Sequence, residues 1–238
     1  MIDISKLTCI KNNTTILKDI HFSVHSKERI AIIGPSGAGK TTLMTILSKQ
    51  EEDYTGSILV NNKDIKTYDH RELSHLVGSI SQEMNLIDNL KVIHNVLAGK
   101  LKDWSFIKSV YSLFIPQEKQ AALQALSSVH LEGHYDKKTS DLSGGEKQRV
   151  AIARLLMQNP LIVLADEPIA SLDPSLARNS IELLLSTTQD KTLIMVLHHV
   201  DYALEYFDRI IAIKNGEVYF DKKAIQVSQE DLGALYEL

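Results

Sequence analysis

The stretch Gly34-Pro35-Ser36-Gly37-Ala38-Gly39-Lys40-Thr41 fits G-x-x-x-x-G-K-[ST], and its flanks decide what it means. Arg29 to Ile33 before it is a short apolar run of the kind that forms a buried strand. Thr42 to Ser48 behind it carries apolar residues at helical spacing. A strand, a glycine loop and a helix in that order build a phosphate cradle. Glycines at 34, 37 and 39 let successive backbone N–H groups converge on phosphate oxygens, and the helix adds its positive N-terminal end. In such a loop the Lys40 ammonium reaches the β- and γ-phosphates, and the Thr41 hydroxyl ligates Mg2+. By itself the loop implies only that a nucleoside triphosphate binds.

Outward from the loop, Asn12-Asn13 and Asn61-Asn62 separate short β-type runs and predict tight antiparallel hairpins. Leu161 to Ala165, Leu193 to Leu197 and Ile210 to Ile213 are continuous apolar runs, expected as strands of a parallel sheet covered on both faces. Two helical segments are expected between the first two of them. Asn215-Gly216 predicts a two-residue hairpin that adds an antiparallel strand, and the chain from Ala224 onward reads as helix. Between about Met84 and Ser140 strand-like runs vanish, and Ala122, Ala125, Leu126 and Val129 recur at helical spacing. There Trp104, Phe106, Ile107, Val110, Tyr111 and Phe114 form an apolar stripe. It is either core of that helical segment or a surface that receives a partner's helix.

Asp166 and Glu167 end the run Leu161–Ala165, where a carboxylate pair can meet the phosphate loop at the sheet's C-terminal edge. Ser143-x-x-Glu146 reads as a capping box in front of an apolar helix through Val150, Ala153 and Met157. Asp173-Pro174 reads as an N-cap with proline at the first helical position. His130 and His134 have i, i+4 spacing, but Gly133 lies between them and H-E-x-x-H is absent, so no zinc site is expected.

Leu142-Ser143-Gly144-Gly145-Glu146, followed by Lys147-Gln148-Arg149 and later by Leu164-Ala165-Asp166-Glu167-Pro168, resembles the ATP-binding cassette proteins over nearly the whole chain. The resemblance implies an α/β fold: a P-loop NTPase (RecA-like) core, an antiparallel β subdomain and an inserted α-helical subdomain. One cassette domain would span 1–238, with its core at about 1–83 and 141–238 and the helical insert at about 84–140. ATP would lie on Gly34, Pro35, Ser36, Gly37, Ala38, Gly39, Lys40, Thr41 and Thr42, with Mg2+ held by Thr41, Gln82 and, through water, Asp166. Glu167 would polarise the attacking water, and His198 would contact the γ-phosphate. In a head-to-tail dimer of two copies, Ser143, Gly144 and Gly145 would face the γ-phosphate bound by the other copy. Ser171, Leu172 and Asp173 would add a contact across that dimer.

Within the family the chain is most similar to the ATPase subunits of bacterial phosphonate importers. The likeness rests on Leu164 to Pro174, on the insert around Trp104 to Phe114 with Gln120 to Leu126, and on Leu197 to Leu204. This implies a homodimer on the cytoplasmic face of the cell membrane, peripheral to an integral permease and served by a periplasmic or extracellular solute-binding protein. A lipoprotein- or macrolide-type export complex would use the same catalytic residues. A cassette ATPase acting on ribosomes or DNA is the remaining alternative, for which a second cassette or a long coiled-coil insert is expected.

The bulk numbers agree. With 238 residues, 44% of them hydrophobic, the chain can bury a sizeable core, and its formal charge of -4 offers no polybasic attraction to nucleic acid. Cys9 is the single cysteine, the opening Met-Ile-Asp-Ile-Ser lacks the layout of a secretion signal, and the apolar runs fall short of the ~20 residues that span a bilayer. The reading is therefore cytoplasmic. One departure from the family lies at Cys9-Ile10-Lys11-Asn12, where an aromatic ring for adenine would be expected. Stacking on an aromatic contributes ~1–3 kcal/mol, so base discrimination should be weak. ATP and GTP turnover within a few-fold of each other is the expected result, and a strong ATP preference would contradict it.

Overall fold

A computed structural model describes residues 1–170 and 173–236. The chain divides into two compact units: residues 1–73, 162–167 and 190–238 form the first, and 74–161 with 168–189 the second.

In the first unit, β1 (Ile2–Lys11), β2 (Thr14–Val24), β4 (Thr55–Val60) and β5 (Lys63–Asp64) form an antiparallel sheet in the order β2-β1-β4-β5. The turns are those the asparagine pairs predict. Asn12 and Asn13 (φ 50 and 60) join β1 to β2, and Asn61 and Asn62 (φ 51 and 63) join β4 to β5. Positive φ at both central residues gives the twist that a two-residue hairpin needs. The larger sheet runs, within this unit, β10-β9-β3-β8-β7, with β3 (Arg29–Ile33), β7 (Ile162–Asp166), β8 (Thr192–Val196), β9 (Arg209–Lys214) and β10 (Glu217–Lys223). Its three pairings β9·β3, β3·β8 and β8·β7 are parallel, and Asn215-Gly216 (φ 53 and 78) turns β10 back antiparallel on β9. Every residue of β8 is buried, as are Ile30 to Ile33 and Ile210 to Ile213, the signature of strands covered on both faces. Helices α1 (Lys40–Leu47), α8 (Val200–Tyr206) and α9 (Gln229–Tyr236) complete the unit, and α2 (His70–Leu76) carries the chain out of it.

The second unit is helical apart from β6 (Val77–Ser81): α3 (Val92–Leu97), α4 (Phe106–Phe114), α5 (Lys119–Ser127), α6 (Gly144–Gln158) and α7 (Pro174–Thr187). Helix α6 packs against α3, α5 and α7; its Val150, Ile152, Ala153 and Leu155 are buried, as are Val92 and Val96 of α3 and Ala122 and Leu126 of α5. One α-helix, not two, lies between β7 and β8 among the described residues. The cause is local. Glu167 leaves β7 in the left-handed region (φ 50) and residues 168–170 form a turn, while Asp173 caps α7, its Oδ1 accepting from the Ser175 and Leu176 amides at 3.1 Å each. Proline at 174 then sets the helix start, leaving too few residues for another.

The apolar stripe divides. Trp104 is 5% exposed and donates its indole N–H to Glu118 Oε1 at 2.9 Å, whereas Phe106, Ile107 and Phe114 are 84, 80 and 81% exposed. Most of the stripe is therefore surface, not core.

Asn95, 2% exposed, staples the loop before α3: its Oδ1 accepts from the Ile87 amide at 2.8 Å, and its Nδ2 donates to Ile87 O at 3.0 Å and Thr139 Oγ1 at 2.9 Å. Asn95→Ala strands these partners without hydrogen bonds. It should lower stability by about 2–4 kcal/mol, read from the urea midpoint; a loss under about 0.5 kcal/mol would show that the staple is dispensable.

Candidate active site

Strand β3 ends at Ile33 and the chain turns at once. A Cβ at Gly34 (φ 150) would lie 2.0 Å from the Ile213 carbonyl oxygen, and one at Gly39 (φ 98) would lie 2.6 Å from Leu17 Cδ2 and 2.8 Å from Ile16 O. Only glycine lets the loop pass this close to the adjoining backbone. Gly39 also N-caps α1 with no side-chain cap, and the first turn holds no acidic residue. The first amides of α1 are therefore left to an anion.

Lys40 is 4% exposed and folds back on the loop, its Nζ donating to Gly34 O at 2.8 Å and Pro35 O at 2.9 Å. Burial pulls its pKa down, opposed by the nearby carboxylates of Glu167 and Asp166. A phosphate oxygen entering the loop competes with two neutral carbonyls for this ammonium, and a charged acceptor makes the stronger bond.

The carboxylates reach the loop because the parallel register aligns the strand ends: Ile32 pairs with Val196, and Val196 with Asp166. The Thr41 hydroxyl donates to Asp166 Oδ1 at 3.5 Å. Burial raises the Asp166 pKa, with Thr41 opposing and Glu167 adding to the rise. Glu167, one residue on, holds φ 50, an uncommon conformation for a side chain of this size and one often kept at functional sites. Its Oε1 lies 2.6 Å from Nε2 of His198, whose side chain is 46% exposed against 15% for Glu167. A cleft of about 400 Å3 is bounded by Ser36 to Thr42, Glu167, His198 and Ile16.

Of the residues read from sequence, the structure brings together the loop from Gly34 to Thr42, Asp166, Glu167 and His198. Ile16, at the cleft wall, escaped that reading, since nothing marks one apolar residue of an exposed hairpin as a ligand contact. His199 caps α8, and its ring meets Tyr202 edge-on at 5.6 Å, a structural placement. Gln82, Ser143, Gly144, Gly145 and Asp173 belong to the second unit. Gln82 is exposed just after β6. Ser143 N-caps α6 in a complete capping box with Glu146, and nothing lies within 4 Å of a Cβ placed on Gly144. Ser171 and Leu172 lie outside the described residues.

Residues 17–170 match the family model described as ABC transporter. Over 242 residues the chain is 38% identical to the phosphonates import ATP-binding protein PhnC 1 of Nostoc sp., covering 99% of this chain and 91% of that one. It is 39% identical to the phosphonates import ATP-binding protein PhnC of Fusobacterium nucleatum, covering 100% and 98%. Among solved structures it resembles a nucleotide-free ATP-binding cassette from an ABC transporter (TM-score 0.82, 27% identity, 99% and 94% covered). It also resembles a dimeric bacterial ABC transporter cassette (TM-score 0.79, 31% identity, 94% and 99% covered).

The Asp166 carboxyl holds its proton more tightly in the fold than in the unfolded chain. Its ionisation therefore costs stability, a cost that is absent well below the ordinary carboxylate range and full at neutral pH. Asp166→Asn should raise Tm at pH 7 by about 2–4 °C in buffer free of nucleotide and divalent cations, with the difference closing toward pH 3. An unchanged or lowered Tm at pH 7 would show that the carboxylate is better satisfied than its surroundings imply.

Proposed function

The chain belongs to the ABC transporter family, and from that premise we propose that it is the ATP-hydrolysing subunit of an importer for phosphonate or a related phosphorus oxyanion. The observation that carries the ATPase half is the Glu167–His198 contact at 2.6 Å beside the phosphate loop. The cargo half is supported by the similarity, over nearly full length, to proteins named for phosphonate import.

ATP places its phosphates on the amides of Gly34 to Thr42, and Lys40 transfers its hydrogen bonds from Gly34 O and Pro35 O to phosphate oxygen. Thr41 Oγ1 and Asp166 Oδ1 converge at the α1 end of the loop, and oxygen donors of this kind suit a hard cation. Thr41 and, through water, Asp166 would hold Mg2+, which when bound neutralises charge on the phosphates. Glu167 is the general base. His198 donates from Nε2 to Oε1 and so holds the carboxylate at the cleft until ATP binds; the carboxylate, once released, orients a water and takes its proton. His198, half exposed at the cleft, then offers its N–H to the γ-phosphate when the base turns to the water. Ser143, Gly144 and Gly145 supply the remaining amide and hydroxyl donors to ATP bound by a second copy, and Asp173 contacts that copy.

Among the described residues no helix is long and apolar enough to cross a membrane, so this reading requires a membrane-embedded permease. The exposed face of α4, with Phe106, Ile107, Tyr111 and Phe114, exceeds what isolated surface residues present. It adjoins an apolar cleft of about 120 Å3 lined by Leu90, Leu101, Trp104 and Leu113, large enough for one side chain of the permease.

A strain deleted for this chain and for redundant importers tests the proposal by growth on a phosphonate as sole phosphorus source, with phosphate as control. The unmodified chain should restore growth, Glu167→Gln should not, and Phe106→Ser with Phe114→Ser should fail while keeping ATP binding. Growth of the deletion strain without rescue would remove the cargo assignment.

A further inference from the structure

The capping box at the start of α6 carries an electrostatic conflict. Glu146 Oε2 accepts from the Ser143 amide at 2.8 Å and from the Ser143 hydroxyl at 2.7 Å, and Ser143 Oγ accepts from the Glu146 amide at 3.3 Å. A carboxylate in the first turn stabilises a helix standing alone. At the same spot it opposes a second anion, and it engages the one proton that the Ser143 hydroxyl could donate to a phosphate. A helix start meant to meet ATP across a dimer needs that charge offset.

His134 is placed to do so. Its Nε2 lies 3.0 Å from Oε1 of Glu146, the oxygen that the Ser143 bonds do not use. The ring is held from its backbone on both sides: the His134 amide donates to Leu131 O at 3.0 Å, and the Lys137 amide donates to His134 O at 3.0 Å. Its Nδ1 is buried without a hydrogen-bond partner, so the ring's polar engagement in this structure is with Glu146. The hydroxyl and amide of Ser143, aided by the charges of His134 and Lys137, keep the Glu146 carboxyl below its ordinary pKa, so a full negative charge stands beside the helix start.

We infer that His134 is a positioning residue for the Ser143-Gly144-Gly145 helix start. By donating Nε2–H to Glu146 Oε1 it draws charge from the carboxylate, loosens its hold on the Ser143 proton and sets the first turn to receive the phosphate of the second copy. This rests on the reading of that helix start as a site completed in trans. The histidine does not touch ATP; it acts through Glu146. The chemistry asked of it is one N–H donor at the Nε2 position, which glutamine can also supply and alanine cannot.

The test uses the full chain as wild type, His134→Ala and His134→Gln, each also in a Glu167→Gln background that retains ATP. Binding of a fluorescent ATP analogue to the monomer reads the loop site, light scattering reads the ATP concentration for half-maximal dimerisation, and steady-state turnover reads the assembled site. His134→Ala should leave monomer binding within twofold, raise the half-maximal ATP concentration about fivefold or more, and lower kcat more than it changes KM. His134→Gln should recover most of both losses. Wild-type dimerisation and turnover in His134→Ala would overturn the inference. Equal losses in Ala and Gln, accompanied by a lowered Tm, would also overturn it, because the ring would then matter only for packing. Gly145→Asp separates the two premises: if it dimerises with ATP as wild type does, the trans reading fails and the role of His134 falls with it. If Gly145→Asp alone blocks dimerisation, the trans reading stands and His134 is judged by its own variants.

Discussion

The backbone of Gly34 runs so close to the end of β9 that a Cβ there would lie 2.0 Å from the Ile213 carbonyl oxygen, and the active edge of this protein depends on that approach. A side chain would push the loop off the sheet. With glycine, the loop turns directly over the ends of β3 and β9, α1 begins only six residues after Gly34, and Lys40 reaches back to the Gly34 carbonyl. Parallel pairing then does the rest of the assembly. Because Ile32, Val196 and Asp166 occupy one row of the sheet, the residues just beyond them emerge at the same edge: Gly34 from β3, Glu167 from β7 and His198 from β8. The site is thus a consequence of register as much as of any single residue.

That edge concentrates groups that would each prefer water. Burial works against the ammonium of Lys40 and against the carboxylate of Asp166, and each is partly rescued by the other's charge. Glu167 adds a left-handed backbone conformation. None of this serves the fold; a protein selected for stability alone would place apolar or neutral residues here. The stabilising counterweight lies in the fully buried strands β3, β8 and β9, whose apolar residues bind the edge to a rigid platform. A polyanion that engages Lys40 would relieve the stress at its source.

The parts legible in sequence are those written in local geometry. Glycine at 34, 37 and 39, asparagine pairs at 12–13 and 61–62, and the Ser143–Glu146 spacing each require a particular backbone shape, and the structure has it. Parallel strands were legible because burial on both faces leaves unbroken apolar runs. Periodicity, however, does not say what covers an apolar face. The stripe after Trp104 has helical spacing in either case, and only the fold shows Trp104 turned inward and Phe106, Ile107 and Phe114 outward. Nor does it reveal polar contacts between distant residues. Asn95 bonds to Thr139 across 44 positions, and Ile16 reaches the cleft from a hairpin with no composition of its own. Among the described residues the expected second helix between β7 and β8 is missing, because Glu167 and Pro174 constrain the backbone on either side.

The two helix starts that matter here are built differently, and the difference suits their tasks. Helix α1 begins at a glycine with no side-chain cap and no acid in its first turn, so its amides and the positive end of its dipole are undiluted. Helix α6 begins with both members of a capping box engaged, and the Ser143 and Glu146 amides are already satisfied by side chains. What remains for a ligand is the pair of glycines, with open space around Gly144, beside a negative carboxylate. The first start can bind a triphosphate within one chain. The second, with a carboxylate at its cap, opposes an anion, and under the proposed head-to-tail pairing it would add donors only to a phosphate already neutralised by another copy's lysine. An ATPase assembled in that way would hold ATP before it could hydrolyse it, and that delay would allow hydrolysis to be tied to the state of a partner.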